Sequence, residues 1–329
     1  MPSERRALVT GAGGFVGRWL VRALAAEGWT VAGTGPVRPD ADSDEALRAA
    51  AWYAGDVRDP EHLAGALDAA RPDLVVHLAA VSHVPAANAD PGLAAEVNIA
   101  AAARLVGLVR QRRRAGALDP VVLVVGSGEQ YGRHHGRDPL DERAEQRPHN
   151  VYAATKVAQE VVALEAWRAD GVRVLAARPF THSGPGQDER FLLPGLVRRA
   201  LALRRAGGDA LRLGNQEPVR DILHVADVVT AYVALAERGR PGEVYNVATG
   251  VGRSVGEVAR RVLDRVGVDA RLESDPALVR PADVPVLIGN PAKIAAHTGW
   301  APRRTFDTLI DDLLAEADAA GAARTPTSV

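Results

Sequence analysis

Short apolar runs alternate with longer stretches of helical periodicity along the first half of the chain. Such runs occur at 7–9, 74–78 and 121–125, and the last of them reads Val-Val-Leu-Val-Val. Continuous apolar runs of this length are typical of strands that are buried on both faces of a parallel sheet. Between the runs, apolar residues recur at every third or fourth position, as in 16–24. The pattern therefore predicts an α/β fold with a doubly wound parallel sheet.

The order of the predicted elements also indicates how the chain divides. Strands are expected at 7–9, 29–34, 52–59, 74–80, 121–125, 172–180 and 243–247. Helices are expected after the turn at 11–14, at 60–70, 91–114, 225–237 and 255–266, and from 152 onward. The alternation stops after residue 180, where a turn-rich segment begins. We therefore expect a Rossmann domain over 1–178 plus about 224–250, a smaller substrate-binding region over 179–223 and 251–318, and a disordered tail over 319–329.

The first strand runs directly into a glycine-rich turn, Thr-Gly-Ala-Gly-Gly-Phe-Val-Gly at 10–17. Between a strand and a helix, Gly11 permits the tight turn, Gly14 lets the backbone approach a pyrophosphate, and Gly17 lets helix and strand pack closely. The pyrophosphate would then lie on the positive N-terminal end of the helix. Three glycines alone would also suit an ordinary turn. Their position between a strand and a helix favours a dinucleotide-binding site.

The second predicted strand bears on the choice of dinucleotide. In NAD-binding proteins an acidic residue often ends this strand and binds the ribose hydroxyls. Here the segment 33–38 reads Gly-Thr-Gly-Pro-Val-Arg and contains no acid. Arg38 could bind a 2′-phosphate, although it could also be a solvated loop residue. The segment favours NADP(H) and leaves NAD(H) open.

The next two strands also end in residues that suit a cofactor. Asp56 could reach an adenine amino group, or it could instead cap the helix at 60–70. The fourth strand ends in Leu-Ala-Ala at 78–80, where small side chains would let a cofactor lie close. His77, within the same apolar run, is expected to be a core histidine satisfied by a neighbour. His134 and His135 have no acid or further histidine at ligand spacing, so no metal site is expected.

A tyrosine and a lysine four residues apart open the predicted helix that follows residue 150. Tyr152 and Lys156 therefore share one helix face. Lys156 is one of only two lysines in a chain rich in arginine. Arginine could not replace it where a compact cation with a depressed pKa is needed. Such a pair is also common on protein surfaces. The glycine motif upstream, and Ser127 just past the end of a buried strand, favour a catalytic role.

Composition excludes several classes of function. The 329 residues carry a net charge of −1, which gives no electrostatic reason to expect a nucleic acid or an anionic membrane as partner. The chain contains no cysteine, so disulfides, thiol catalysis and thiolate metal sites are excluded. We expect no apolar run long enough to span a bilayer and no signal peptide. A cytoplasmic protein is therefore expected.

The chain resembles the extended short-chain dehydrogenases/reductases over nearly its whole length. The resemblance rests on the glycine motif at 10–17, Gly-Asp-Val-Arg-Asp at 55–59, His-Leu-Ala-Ala at 77–80, the Ser127 loop, the Tyr152/Lys156 pair and Arg-Pro-Phe at 178–180. Within that superfamily it is similar to the nucleotide-sugar enzymes of the NAD-dependent epimerase/dehydratase family. The reductases of GDP-4-keto-6-deoxy-mannose are the closest in pattern, followed by the GDP-mannose 4,6-dehydratases. That choice rests on the segments at 182–187, 213–215, 219–221, 280–285 and 299–300.

The resemblance implies an NAD(P)-dependent oxidoreductase that transfers a hydride between the nicotinamide and C4 of the sugar. It implies that Tyr152 exchanges a proton with the sugar oxygen, that Ser127 hydrogen-bonds the same oxygen, and that Lys156 lowers the phenol pKa and holds the nicotinamide ribose. It implies cofactor contacts from Gly11, Gly14, Phe15, Val16, Gly17, Arg38, Asp56, Val57, Leu78, Ala79, Ala80, Tyr152, Lys156 and Pro179. It implies substrate contacts from Ser82, Ser127, Glu129, Thr181, His182, Asn215, Arg220 and Arg280, the arginines gripping the diphosphate. It also implies a homodimer formed through a helix pair at about 92–114 and 151–169.

Three alternatives stay open on the sequence. Glu129 stands where dehydratases keep the base that removes the C5 proton, which supports a 4,6-dehydratase or epimerase, although it could also be structural. Gly128 lacks the acid or hydroxyl of the dehydratases and favours plain reduction. Thr181 and His224 depart from the reductase pattern and could indicate another sugar or base. A non-catalytic NADP-binding regulator would have no need of Ser127 together with the Tyr–Lys pair.

Overall fold

The computed structural model describes residues 5–39, 44–134, 136–279 and 284–323. Its strands are β1 (Arg6–Thr10), β2 (Thr30–Gly35), β3 (Ala51–Ala54), β4 (Leu74–His77), β5 (Val121–Val125), β6 (Val174–Pro179), β7 (Thr181–Ser183), β8 (Ala210–Leu213), β9 (Val219–His224), β10 (Val244–Val247), β11 (Gly252–Ser254), β12 (Arg271–Ser274) and β13 (Val286–Leu287). Its helices are α1 (Phe15–Ala26), α2 (Glu45–Ala49), α3 (Pro60–Ala70), α4 (Val84–Ala89), α5 (Pro91–Ala95), α6 (Ala101–Arg114), α7 (Val151–Asp170), α8 (Leu192–Ala206), α9 (Val225–Arg238), α10 (Val255–Val266), α11 (Ala292–Thr298) and α12 (Phe306–Ala323).

Seven strands of the described chain form one parallel sheet in the order β3-β2-β1-β4-β5-β6-β10. The predicted doubly wound α/β fold is confirmed. Several strands are shorter than predicted at their ends. The strand expected at 52–59 ends at Ala54, because Asp56 and Asp59 form a turn and the Asp59 side chain caps α3.

The sheet is covered by helices on both faces, which explains why its strands are continuously apolar. Ala7 and Val9 of β1 pack toward α1 and α9, whereas Leu8 between them packs toward α3, α6 and α7. Alternate side chains of one strand thus enter different cores. Since each core is apolar, neither face of the strand tolerates polar residues.

The long helix expected at 91–114 is interrupted. A π-helical turn at Glu96–Ala100 separates α5 from α6, and it contains the buried Asn98. Asn98 bonds the main chain of Val81 and the hydroxyl of Thr155 on α7. By length and composition the stretch 91–114 could also cross a membrane, contrary to our expectation, with 39% of its most apolar window buried. Buried core helices meet the same criteria of length and composition, so this finding is weak evidence for a membrane span.

The remaining strands and helices build a smaller unit around a separate core. This core includes Leu196 of α8, Val262 of α10 and Ile310 of α12, all fully buried. Ser254 caps α10 in a capping box with Glu257. The helix α12 extends to Ala323, so 319–323 belong to it, and the rest of the predicted tail lies outside the described residues.

Candidate active site

A cavity of about 1210 Å³ lies at the carboxyl ends of the parallel strands, where the smaller unit faces the sheet. That volume exceeds the ~300–1,000 Å³ usual for one small ligand, so two large molecules could share it. Most predicted site residues line the cavity: Gly11, Gly14, Phe15, Val16, Gly17, Leu78, Ala79, Ala80, Ser82, Ser127, Glu129, Tyr152, Lys156, Pro179, Thr181, His182, Asn215 and Arg220.

The glycine-rich turn fits a pyrophosphate. Gly11 has φ +70°, and a Cβ there would lie 2.8 Å from the backbone nitrogen of Ala79. A Cβ on Gly17 would overlap the carbonyl oxygen of Gly11. The N-cap of α1 is Gly14, and no side chain caps this helix end. The first-turn amides of α1 are therefore left for an anion, as dinucleotide binding requires.

Ser127 and Tyr152 meet in the middle of the cavity. Ser127 is the N-cap of a short 3₁₀ helix, Gly128–Tyr131, and its backbone N–H donates to Gln130 Oε1 at 2.7 Å. Burial has the larger effect on the Tyr152 phenol and raises its pKa to about 12, whereas the Ser127 side chain, which lies close to the phenol, lowers that pKa. The phenol is therefore protonated at neutral pH and able to donate a proton.

Lys156 lies beside this pair, with only 2% of its surface exposed. Its Nζ donates to Val125 O and to Gln159 Oε1, both at 2.8 Å. Burial lowers the pKa of Lys156 to about 7. The resemblance implied that Lys156 lowers the pKa of Tyr152. In the structure the phenol pKa responds to burial, Ser127 and Glu129 instead, because the ammonium is directed at two neutral oxygens.

A buried ion pair lies behind the Ser127 turn. Glu160 of α7 accepts hydrogen bonds from Arg178 Nε at 2.8 Å and Nη2 at 2.6 Å, and both side chains are 6% exposed. Glu160 also accepts from Gln130 Nε2 at 3.1 Å. Because Gln130 holds Ser127, the pair connects the Ser127 turn to the helix that carries Tyr152. We refer to Gln130, Glu160 and Arg178 as the buried clamp.

Glu129 lies at the edge of the cavity. Its carboxylate is 3.9 Å from His149 Nε2 and 3.5 Å from the amide nitrogen of Asn150. The Asn150 side chain also caps α7. The negative charge of Glu129 raises the pKa of Tyr152 further. Glu129 thus acts on the phenol through its charge.

The position next to Glu129 is closed to a larger side chain. A Cβ on Gly128 would lie 3.1 Å from the ring of Phe180, which is 2% exposed. The Phe180 ring is packed against two neighbours. It stacks on Tyr131 with the ring centroids 6.0 Å apart, and it lies where a Cβ on Gly289 would be. A side chain at 128 would therefore require the Phe180 ring to shift by a few tenths of an ångström.

Four arginines line the cavity, namely Arg190, Arg198, Arg199 and Arg220. Arg199 donates to Arg212 O at 2.8 Å, and burial followed by the charge of Arg198 lowers its pKa. Arg220 of β9 donates to Val284 O at 2.7 Å. Guanidinium groups suit a diphosphate.

The strand β9 is fixed beside Arg220 by a buried carboxylate. Asp221 is fully buried and accepts bonds from the backbone of Thr249, Gly250 and Gly289. Burial raises the pKa of Asp221, while these bonds oppose the shift. The carboxylate thus joins β9 to the turn at 249–250 and to Gly289.

Several predicted residues lie elsewhere. Arg38 donates to the carbonyls of Arg48 and Ala50, and it does not line the cavity. Asp56 pairs with Arg58 at 2.7 Å and neither lines the cavity nor caps α3. Val57 is packed in the core. None of the three lines the cavity, the cofactor contacts expected of them stay predictions, and Arg280 lies outside the described residues.

Two histidines were assessed from sequence with different success. His77 Nδ1 bonds Thr10 Oγ1 at 2.8 Å, so it has the neighbour expected of a core histidine. His224 was considered a specificity position, but it does not line the cavity. Its Nδ1 accepts from Ala226 N to cap α9, and its Nε2 lies 3.0 Å from Asp312. The departure at His224 is therefore a feature of packing.

Sequence reasoning also missed residues of the cavity. These are His83, Asn88, His149, Asn150, Arg190, Phe191, Arg198, Arg199 and Tyr232. Tyr232 comes from α9, about 80 positions beyond Tyr152, and its buried hydroxyl has no partner among the described residues. Only tertiary contact brings it to the site. Asn150 could have been found, because an asparagine before a helical pattern is a typical N-cap.

The comparisons with known proteins agree with this site. A family model described as GDP-mannose 4,6 dehydratase matches residues 8–313. The chain is 32% identical to GDP-6-deoxy-D-mannose reductase of Pseudomonas aeruginosa over 95% of this chain and 97% of that protein. It is 28% identical to GDP-mannose 4,6 dehydratase 1 of Arabidopsis thaliana, over 80% of this chain and 72% of the relative. The solved structure of RMD from P. aeruginosa complexed with NADPH superposes with a TM-score of 0.82 at 28% identity, covering 96% of this chain and 99% of that one.

Proposed function

This chain belongs to the GDP-mannose 4,6-dehydratase family, and on that premise we propose that it is an NADPH-dependent reductase of a nucleotide-linked 4-keto-6-deoxy sugar, GDP-4-keto-6-deoxy-mannose in particular. The observation that carries the proposal is the protonated Tyr152 phenol, which lines one cavity together with Ser127, Lys156 and the glycine-rich turn. The NADPH complex of a similar structure supports NADP(H) as the cofactor.

The chain's own residues supply binding and proton transfer. Bound NADPH supplies the hydride. The first turn of α1 would hold the pyrophosphate, and Lys156 would bind the nicotinamide ribose with its remaining N–H donor. Ser127 donates a hydrogen bond to the C4 oxygen as negative charge develops there. Tyr152 gives its proton to the same oxygen, which becomes the product hydroxyl.

The second candidate is a 4,6-dehydratase, favoured by Glu129, which lies beside the reacting centre and could remove a proton. Elimination of a hydroxyl also needs an acid for the leaving group. The site has no side chain at Gly128, and a Cβ there would crowd the Phe180 ring at 3.1 Å. This crowding supports reduction over dehydration.

The test mixes the protein with NADPH and freshly prepared GDP-4-keto-6-deoxy-mannose and follows NADPH absorbance. A fall in absorbance supports the reductase, and NMR of the product gives the stereochemistry. A parallel sample contains GDP-mannose and NADP⁺. Formation of a keto sugar there, with no NADPH consumed in the first sample, would replace reduction by dehydration. Activity in neither sample would point to another sugar or base, with Thr181 as the first position to vary.

We propose in addition that the enzyme is a cytoplasmic homodimer formed through α6 and α7. Val161 and Trp167 of α7 are 53% and 37% exposed, which is high for large apolar residues. The apolar stretch 91–114 that ends in α6 is also incompletely buried. Such surface is typical of an interface. Sedimentation velocity tests the dimer: the wild type should sediment as a dimer and a Val161→Asp variant as a monomer.

Cell fractionation tests the proposed location, and the protein should be recovered in the cytoplasmic fraction.

A further inference from the structure

Gln159 touches the amine of Lys156 and has no place in the chemistry above. It lies three residues after Lys156 on α7, on the same helix face. Its Oε1 accepts a hydrogen bond from Lys156 Nζ at 2.8 Å, and the residue is 1% exposed. Its own amide nitrogen is buried without a partner among the described residues. A buried amide with an unsatisfied nitrogen costs stability, so its retention needs a reason.

The Lys156 ammonium has three donors and few acceptors. Two donors reach Val125 O and Gln159 Oε1, both neutral oxygens, and this fixes Nζ between β5 and α7. The third donor is left for the cavity that Lys156 lines. Without Gln159, the amine would keep only the carbonyl of Val125 and could turn away from the ribose position.

Other titratable groups near Lys156 do not replace this partner. They are His77 on β4, Tyr152 and Glu160 on α7, Arg178 on β6 and Glu129 on the Ser127 turn. The Lys156 charge acts on His77, whose pKa falls to about 3 through burial and then through that charge. Glu160 is engaged by Arg178. Among the described residues, Gln159 is thus the one side chain that accepts a hydrogen bond from Nζ.

We propose that Gln159 is a positioning residue for Lys156, which holds Nζ between β5 and α7 at the cavity wall through a neutral acceptor. The functional part of this inference rests on the proposed function. A carboxylate at 159 would hold the ammonium form, whereas an apolar side chain would disfavour it. The neutral amide lies between these cases.

The test measures the protonation of Lys156 directly. Because the chain has only two lysines, the protein labelled with ¹³C at lysine Cε gives two NMR signals that can be followed against pH. Lys293→Arg assigns them. The wild-type Lys156 signal should titrate near the pKa of about 7. Gln159→Met should lower that pKa by about one to two units through loss of a hydrogen bond to a charged group. Gln159→Glu should raise it by about one to three units.

The Lys293 signal is the internal control and should titrate alike in all variants. Titration of Lys156 at the wild-type pH in both variants, or shifts of the same sign, would overturn the inference and leave Gln159 a space-filling residue. If the buried carboxylate of Gln159→Glu prevents folding, Gln159→Met still decides, because an unchanged or raised pKa there contradicts it.

A second readout connects the residue to turnover. The pH profile of kcat should move in the direction of each NMR shift, with little change in KM for the nucleotide sugar. If the two variants change the Lys156 pKa in opposite directions but the protein reduces no keto sugar, the positioning role of Gln159 is supported and the proposed reaction is rejected. NMR shifts in an active enzyme whose pH profile does not move would overturn the link between Gln159 and turnover.

Discussion

Removing one member of the buried clamp should cost more stability than any exposed ion pair can. Glu160→Leu leaves the Arg178 guanidinium in a site where its side chain is 6% exposed. Four hydrogen bonds to the Glu160 carboxylate disappear, from Arg178 Nε and Nη2, Gln130 Nε2 and Gln146 Nε2. Breaking such a buried pair typically costs about 3–5 kcal/mol. Since domains are stable by about 5–15 kcal/mol, this is a large part of the total.

The double variant distinguishes the free-energy cost of losing the ion pair from the cost of leaving the Arg178 charge buried without its partner. Replacing Arg178 by Met in the Glu160→Leu background removes the unpaired cation, and apolar replacements of buried pairs are often close to neutral. We expect the double variant to recover about 2–3 kcal/mol relative to the sum of the single variants. Tyr131 and Gln130 still lose partners, so recovery should be incomplete.

The assay is urea unfolding followed by circular dichroism at one protein concentration, for the wild type, both single variants and the double variant. Asp68→Asn is the control: Asp68 pairs with Arg112 at 2.7 Å, but its side chain is 59% exposed, and the cost should stay below about 1 kcal/mol. Single-variant costs as small as the control, or additive single costs, would refute the reasoning. In the double variant kcat should fall even where the protein is folded, by up to about 100-fold, because Ser127 is no longer held at its place.

Three further predictions concern the cavity itself. Tyr152→Phe should reduce kcat by about 10²–10⁴-fold with NADPH affinity unchanged in fluorescence titration; retained turnover would exclude the phenol as general acid. Arg220→Met should raise KM for the nucleotide sugar by about 10- to 100-fold and leave NADPH affinity alone; equal loss of both would place the guanidinium at the cofactor. Burial lowers the pKa of Lys156 from 10.5 to about 7, so between these values the unfolded chain binds a proton that the folded chain does not. The free energy of unfolding should therefore rise with pH across that window by at most about 1.4 kcal/mol per pH unit, a slope that Lys156→Met removes in urea titrations.

Three parts of the site could be predicted because the residue types and spacing of one short segment are enough to indicate each of them. These parts are the glycine-rich turn, Ser127 and the Tyr152/Lys156 pair. Gly11 needs a positive φ, and Tyr152 and Lys156 share a helix face through their spacing alone. The sheet followed in the same way from continuous apolar runs. Ala7 and Val9 enter one apolar core and Leu8 enters the other, so every position of this strand is apolar.

Other features could not be predicted because their partners are distant in the chain. The π turn at 96–100 has an ordinary helical sequence. It places Asn98 where its side chain bonds Thr155, a residue 57 positions further along the chain. The crowding of Gly128 depends on Phe180, and the clamp joins residues that no local pattern relates. The bonds of Arg38 to Arg48 O and of Asp56 to Arg58 could likewise not be predicted from the strand ends.

The position of β10 in the sheet has a consequence for synthesis of the chain on the ribosome. The first six strands of the sheet are complete at Pro179, but their neighbour at the β6 edge is Val244–Val247. Until residue 247 of 329 has emerged, the nascent sheet presents the unpaired main chain of β6. An open edge of this kind can pair with another chain. A fragment truncated after the sixth strand should consequently be prone to aggregation, and the cofactor-binding half should not be separable by a single cut.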